Sequence, residues 1–404
     1  MAFEIRTTRD LDEFTAGLFA IGQYFGMVPT EESMQRWADQ IGLERMHAAW
    51  SDGTVVGGAG AFTFNVSVPG GDLPTAGVTV VGVYPTHRRR GVLRALMRAQ
   101  LDDAHERGEP LAALWASEET IYGRFGYGVA SFCGEISLAR EYSTFAQPVE
   151  PEGTLRFLQP DDVFETIPPV FERVRGQWPG MFSRNELWWK HREIADPEDR
   201  REGGGPKRWV AYERDGAVEA YAVYRHKAGF EQGTSIAELR VLEALGATPA
   251  ALRDLWGYLL AVDWVATVKS YLMPPDHPLF LLLATPRRLR YRMGDALWVR
   301  IVDIGPALSG RRYSAEGSIV FEVTDDFCPW NEGRWKLADG VAERTSEEAD
   351  LKLPVQTLGS AFLGGISFAA LARAGRLEEL RDGAVGRADS LFRWDRHPWC
   401  PEIF

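Results

Sequence analysis

Cysteine is scarce: three residues, Cys133, Cys328 and Cys400, stand far apart in a chain of 404. An odd count with no Cys-x-x-Cys pair excludes a disulfide framework and a zinc knuckle, and it fits a reducing, cytoplasmic setting. Histidine is nearly as sparse. The seven (47, 87, 105, 191, 226, 277 and 397) never fall at i, i+4 on one helix or beside a carboxylate at metal-ligand spacing, so no metal is expected and a metal hydrolase is excluded. Long apolar runs are missing too. The densest, Leu279 to Ala284, is far short of the ~18 residues of a membrane span, and MAFEIRTTRDLDEF has no basic segment leading into an apolar one. Neither export nor membrane residence is expected. Positive charge is in deficit, with 45 Lys and Arg against 57 Asp and Glu, a formal net charge of −12. Such a chain repels phosphate backbones and anionic lipid, so nucleic acid is excluded as a partner and a cationic small molecule is the compatible one.

What is present is ordinary globular composition, 45% hydrophobic and 25% charged. At ~150 residues per domain the length gives two to three domains. The opening stretch reads as helices over Thr8–Phe19 and Thr30–Ile41, then strands at Met46–Trp50, Val55–Val68 and Gly77–Tyr84. The last of these runs into Pro85-Thr86-His87-Arg88-Arg89-Arg90-Gly91. Leu93, Leu96, Met97, Gln100 and Leu101 then repeat at helical spacing as far as Gly108. Strands at Leu111–Ala116 and Val129–Ser137 complete a mixed α/β unit.

The order recurs from about Gly153, which predicts an internal duplication. Phe3-Glu4-Ile5-Arg6 before Asp10-Leu11 resembles Thr154-Leu155-Arg156-Phe157 before Asp161-Asp162-Val163. His47–Trp50 with Asp52-Gly53 matches Trp209–Tyr212 with Asp215-Gly216, and Thr79–Tyr84 matches Ala237–Leu242 ahead of a helix over Pro249–Val262. The second copy has Leu245-Gly246-Ala247-Thr248-Pro249 where the first has its arginines, so only the first is equipped for an anion. From about Tyr291 the pattern changes to an α+β unit: strands at Ala296–Asp303, Gly317–Val323 and Gly333–Lys336, then helices at Thr357–Ala374 and Leu377–Gly383. The expected domains are 1–150, 151–290 and 291–404. Gln147–Gly153 reads as a linker, and the Gly203-Gly204-Gly205-Pro206 stretch as a mobile loop.

Arg88-Arg89-Arg90-Gly91-Val92 lies between a strand and a helix, where backbone N–H groups and the helix dipole converge on an anion. Gly91 admits close approach and the arginines supply charge, a pyrophosphate cradle; taken alone, the segment reads equally as a solvated basic loop. One crossover later comes Trp115-Ala116-Ser117-Glu118-Glu119-Thr120-Ile121-Tyr122-Gly123-Arg124-Phe125-Gly126-Tyr127. Together these segments resemble the acetyl-coenzyme A loop and the Tyr-x-x-x-Gly-aromatic segment of the GNAT acetyltransferase superfamily. Leu93 stands where that superfamily usually has Gly or Ala.

The duplicated unit, the degenerate second copy, the third α+β unit and Phe404 at the end of the sequence resemble one branch, the Enhanced intracellular survival (Eis) acetyltransferases. The fold implied is a tandem of GNAT domains followed by a sterol-carrier-protein-like domain. The resemblance implies that acetyl-CoA is the acyl donor, with Val81 and Val83 holding its pantetheine arm, Arg88, Arg89, Arg90, Gly91 and Val92 its pyrophosphate, and Ser117 near it. It implies Tyr122 as general acid, the terminal carboxylate of Phe404 as base, and a homo-hexamer. Glu402 is the acid expected to bind a cation, and Phe25, Trp37 and Trp188 are aromatic candidates for substrate walls by their rough position in the family, although each reads first as core. Glu118 and Glu119 read best as a solvated acidic pair.

Acetyl transfer to an amine needs a neutral nucleophile, a polarised thioester carbonyl and an acid for the departing thiolate. Neither motif places a His or Glu where it would serve as the base. The apolar, proline-stiffened tail Trp394, Pro398, Trp399, Cys400, Pro401, Ile403 and Phe404 predicts a docked C-terminal segment. The expected function is N-acetylation of a polycationic small molecule such as an aminoglycoside, at one or several positions, or of lysine side chains. The alternative is a carrier that holds an apolar ligand in the third unit.

Overall fold

The computed structural model describes residues 3–404, which divide into two compact units. One takes the chain up to Ser131, then Ala296–Pro398 and Ile403–Phe404; the other takes Phe132–Asp295 and Trp399–Glu402.

The first unit opens with β1 (Glu4–Thr7), α1 (Leu11–Gly22) and α2 (Glu31–Ile41). The first helix starts later than expected because Asp10, whose side chain accepts from the Glu13 N–H, is its cap. Thr30 and Ser33 close a reciprocal capping box on the second. Three antiparallel neighbours follow, β2 (Met46–Ser51), β3 (Thr54–Val68) and β4 (Gly71–Val83), and α3 (Val92–Glu106) carries the chain to β5 (Leu111–Trp115), parallel to β4. The short α4 (Glu119–Tyr122) and β6 (Gly128–Val129) end this pass.

In the second unit the chain builds β7 (Phe132–Ala139), β8 (Thr154–Leu158), α5 (Pro160–Arg175), α6 (Glu186–Trp188), β9 (Arg208–Arg214) and β10 (Ala217–Lys227). A small hairpin, β11 (Phe230–Glu231) and β12 (Thr234–Ser235), precedes β13 (Glu238–Gly246), α7 (Pro249–Ala261), β14 (Thr267–Met273), α8 (Leu279–Leu282) and β15 (Arg292–Asp295). The glycine loop is fastened rather than loose: the Gly205 N–H donates to the His226 carbonyl at 2.7 Å, and Arg225 donates to the Gly205 carbonyl. The chain returns to the first unit as β16 (Leu297–Ile301).

The two seven-stranded sheets share one plan: β1-β2-β3-β4-β5-β16-β6 and β8-β9-β10-β13-β14-β7-β15. In each, the fourth and fifth strands are parallel and every other pair is antiparallel. The duplication read from the sequence is therefore present in three dimensions. A bulge lies at Val80–Val81 on β4 and another at Leu242 on β13, so Thr79–Gly82 corresponds to Val241–Glu243 and not to Ala237–Leu242.

Two strands differ from expectation. Val129–Ser137 is broken at Ala130 and Ser131 into β6 and β7, which belong to different sheets. The strand expected to open the third unit is β16, which hydrogen-bonds to β5 on one side and β6 on the other. All five of its residues are buried, as suits an interior strand and not an edge.

The remaining chain forms α9 (Ile304–Ser309), β17 (Ser318–Thr324), β18 (Gly333–Ala338), β19 (Val341–Arg344), β20 (Leu351–Pro354), α10 (Val355–Phe362), α11 (Phe368–Arg373), β21 (Glu378–Glu379) and α12 (Ala384–Phe392). The sheet order is β19-β18-β17-β20-β21. The helix expected over Thr357–Ala374 is interrupted because Gly364 takes φ 85°, and a Cβ there would lie 2.8 Å from the Phe392 carbonyl. No helix covers Leu377–Gly383; Glu378 and Glu379 pair with β20, and Gly383 at φ 79° starts α12. Phe321, Phe368 and Phe392 interlock with centroids 5.0–5.9 Å apart, and Tyr313 and the Arg311 guanidinium close on Phe392. Arg300 of β16, wholly buried, donates from Nη2 to both carboxylate oxygens of Asp325 at 2.7 and 2.9 Å. That pair fastens the first sheet to the chain following β17.

Candidate active site

The parallel ladder between β4 and β5 is short. It spans only Thr75–Gly77 against Leu111–Ala113, after which the strands part. The bulge begins three residues on, and Val80 is held at φ 48°, a conformation a β-branched side chain resists. Val81 and Val83, half-buried, thus stand on a stretch of β4 with no strand paired on its β5 side. Such a gap presents backbone N–H and C=O groups to an extended amide-bearing ligand, as an added strand would use them. Trp115 stands just past the ladder on β5, with its indole N–H buried and unpartnered among the described residues.

At the far end of β4, eight residues, Tyr84 to Gly91, connect to α3. Arg89 and Gly91 both have positive φ, 60° and 89°, and Gly91 provides no side-chain cap. The first N–H groups of a 15-residue helix are therefore left for an anion, with Arg88, Arg89 and Arg90 exposed around them. Arg88 lies over the Tyr24 ring at 4.8 Å, and the Tyr24 hydroxyl donates to the Val83 carbonyl at 3.1 Å. Tyr24 thus joins the cradle to the gap. Its neighbour Phe25 is widely exposed. Nothing in the linear pattern singled out Tyr24 or Trp115, since each contributes through a strand 30 to 60 residues away.

The corresponding place in the second sheet is closed. Only Ala247 and Thr248 separate β13 from α7, and the Thr248 side chain accepts from the Ala251 N–H. That helix is capped by its own chain, with Pro249 in its first turn offering no N–H.

Tyr122 ends α4 and is 7% exposed, in a cluster with Val78, Leu114 and Trp298 that draws on both strands flanking the gap. Its ring meets Tyr127 edge-on at 6.0 Å. Burial first, and the nearby Glu118 second, push its hydroxyl up to about 12. Ser117, Glu118 and Glu119 are exposed, the glutamates as expected. Phe404 is 9% exposed; its ring packs edge-on to Phe64 at 5.3 Å and approaches Gly77, the last ladder residue of β4. Trp37, Phe62 and Phe64 continue the aromatic row from that point. Phe404, Trp37, Tyr122, Val81, Val83 and the arginine loop thus all belong to the first unit.

Glu402 does not join them. It is buried in the second unit, where Oε1 accepts from Arg184 Nε at 2.6 Å. Trp188 is a buried residue of that unit, with its indole N–H donated to Glu193 and Arg192 over its ring. Among the described residues no group of three or more His, Cys, Asp or Glu could hold a metal, and no helix is long and apolar enough to cross a membrane.

Comparison with known proteins gives the family. Models described as acetyltransferase (GNAT) domains match residues 4–130 and 180–301, and one described as a sterol carrier protein domain matches 304–401. An uncharacterized N-acetyltransferase of Streptomyces avermitilis is 42% identical over 398 residues, 95% of each chain. The N-acetyltransferase Eis of Mycobacterium tuberculosis is 34% identical over 84% of each. The crystal structure of Eis1 from Mycobacterium abscessus superposes with a TM-score of 0.88 at 30% identity, covering 99% of this chain and all of that one. This chain belongs to the Eis family of GNAT N-acetyltransferases.

The family's fold implies acetyl-CoA as acyl donor, and this acetyltransferase has what such a donor needs: a gap beside β4 for an extended amide chain and an uncapped helix for phosphates. When bound, that molecule supplies an activated thioester. The residues of this chain that would hold it are Val81 and Val83 by their backbone, and Arg88 to Val92 by charge and N–H groups.

Proposed function

We propose that this acetyltransferase acetylates amino groups of a polycationic small molecule, an aminoglycoside being the type, or of lysine side chains. The observation that carries the proposal is the opening of β4 from β5, with the bare N-terminus of α3 at one end and Tyr122 and the Phe404 ring at its root. The net charge of −12 favours a cationic acceptor.

Each chemical requirement has a residue. Backbone N–H groups of β4 near Val83 polarise the thioester carbonyl. In a chain that ends at Phe404, its carboxylate, with an ordinary pKa of ~3.5, is an anion at neutral pH that holds an ammonium and takes up its proton directly or through water. Tyr122 is the acid in this reading, the donor to the departing sulfur. With its hydroxyl at about 12, it holds its proton more firmly than a thiol of ~8.5 does. Complete transfer to a free thiolate is therefore uphill by roughly 5 kcal/mol at 1.36 kcal/mol per unit, so Tyr122 acts chiefly as a hydrogen-bond donor while charge builds on sulfur. A free tyrosine at ~10 lies nearer a thiol's value; burial separates the two.

The test is thiol release from acetyl-CoA with an aminoglycoside, a linear polyamine and a lysine-containing peptide, and mass spectrometry of the products. Acetylation of the aminoglycoside at one or more amines is the expected result. Transfer to none of the three, by a protein that binds acetyl-CoA, would remove the proposed acceptor class.

A further inference from the structure

The second sheet repeats the opening of the first, and part of the chain fills it. Its parallel ladder ends at Val241 on β13 and Ser270 on β14. Just beyond each end, a residue is tied to the segment Trp399–Glu402, Leu272 directly and Glu243 through Arg184. The Trp399 indole N–H donates to the Leu272 carbonyl of β14. Glu402 accepts from Arg184 Nε at 2.6 Å, and the same guanidinium forks onto Glu243 of β13 at 2.6 and 3.2 Å. Glu243 lies in the bulged stretch that corresponds to Thr79–Gly82, the part of β4 left open in the first sheet.

The contact is built, not incidental. Arg184 is 7% exposed and lies over Phe171 at 3.9 Å, and the Tyr221 hydroxyl orders Glu243 at 2.6 Å. The Trp399 N–H donates to the Pro179 carbonyl at 2.8 Å, and Gly180, at φ 96°, lets the segment pass: a Cβ there would lie 3.0 Å from the Trp399 carbonyl oxygen. Arg184 thus joins β13 to the tail as Trp399 joins it to β14, and two residues after Glu402 the chain reaches Phe404.

We infer that the cleft of the degenerate copy has become a socket for the C-terminal segment, with Arg184 as the positioning residue that sets where Phe404 stands. The placement of Phe404 as base rests on the reading above; the socket does not. The Trp399 bonds hold one end of the segment and the forked guanidinium holds the other; removing the fork frees the end that leads to Phe404, and a freed end no longer presents its terminal group in a fixed place.

The experiment uses the full chain with Arg184→Gln, Arg184→Lys and Glu402→Ala, and a chain lacking Ile403 and Phe404. Hydrogen exchange of the peptide 398–404 reads the socket directly. Arg184→Gln and Glu402→Ala are expected to speed it at least ~10-fold while peptides from β9 and β10 exchange as before, with Arg184→Lys in between. Turnover should fall to that of the shortened chain, with acetyl-CoA affinity unchanged, and combining Arg184→Gln with the deletion should cause no further loss. Unchanged tail exchange in both Arg184→Gln and Glu402→Ala overturns the socket. So does a further loss of turnover in the combined variant, since Arg184 would then act elsewhere. If Arg184→Gln raises exchange throughout the second unit, Glu402→Ala decides. A freed tail with full turnover, together with a fully active shortened chain, supports the socket and overturns Phe404 as base.

Discussion

Replacing Tyr122 by Phe isolates one oxygen. The Tyr122 hydroxyl makes no hydrogen bond among the described residues, while its ring is buried against Tyr127, Val78 and Leu114. Phe keeps that ring, so the folded state loses no partner, and the expected change in stability is within ~1 kcal/mol, in either direction. Turnover has no such protection. Loss of a general acid or of a donor to a developing thiolate costs ~10²–10⁴-fold, which at 1.36 kcal/mol per decade is about 2.7–5.4 kcal/mol of barrier. The assays are thermal unfolding, calorimetric titration with coenzyme A, and single-turnover thiol release at saturating acceptor. The expected pattern is intact fold, intact cofactor affinity and a collapsed chemical step. pH gives a second check. A folded-state value of about 12 against ~10 unfolded means the native protein holds the proton more tightly, so this group's stability contribution is complete below pH 10 and is lost between pH 10 and 12. Tyr122→Phe removes that alkaline slope. Full single-turnover rate in the variant would refute the role assigned to Tyr122, whatever its stability.

Four further outcomes follow from the geometry. One coenzyme A should bind per chain by calorimetry, and Arg88→Ala with Arg90→Ala should weaken it by ~1.5–3 kcal/mol for each charge-assisted hydrogen bond removed; two equivalent sites would contradict the closed second cleft. Adding a few residues after Phe404 should abolish most turnover with unfolding unchanged, whereas Phe404→Leu should cost less; equal rates would leave the tail a packing element. Asp325→Ala should destabilise by ~3–5 kcal/mol in denaturant titration, because it strands the buried Arg300 charge. Glu402, pushed up to about 8 by burial despite Arg184, and by Glu193 and Glu243, favours the folded state below pH 4.5; that contribution is lost as pH rises to 8, and Glu402→Gln should flatten the slope.

The parts of this acetyltransferase that the linear sequence determined are those set by neighbours within one turn or one loop. Alternation and helical spacing placed β2, β3 and α3; Thr30 capped α2; Arg88 to Gly91 marked the loop that leaves α3 without a side-chain cap; and the Leu245–Pro249 replacement announced that the second copy no longer has it. Those features depend on local conformational preference and on residue type, which a string of letters carries. The break at Ala130, the insertion of β16 between β5 and β6, and the division of the expected Thr357–Ala374 helix at Gly364 were decided by partners far away in the chain. The site shows the same division. Tyr122 was open to reading because its segment is contiguous, but its raised pKa was not, since it is buried in a cluster that gathers Val78, Leu114 and Trp298 from three different strands. Tyr24 and Trp115 matter only through the gap beside β4, and Glu402, by charge an acceptor for a cation, is instead held by Arg184 more than 200 residues earlier. Local chemistry names the groups that are available; only the closing of long loops decides which of them meet, how dry they become and which are already taken.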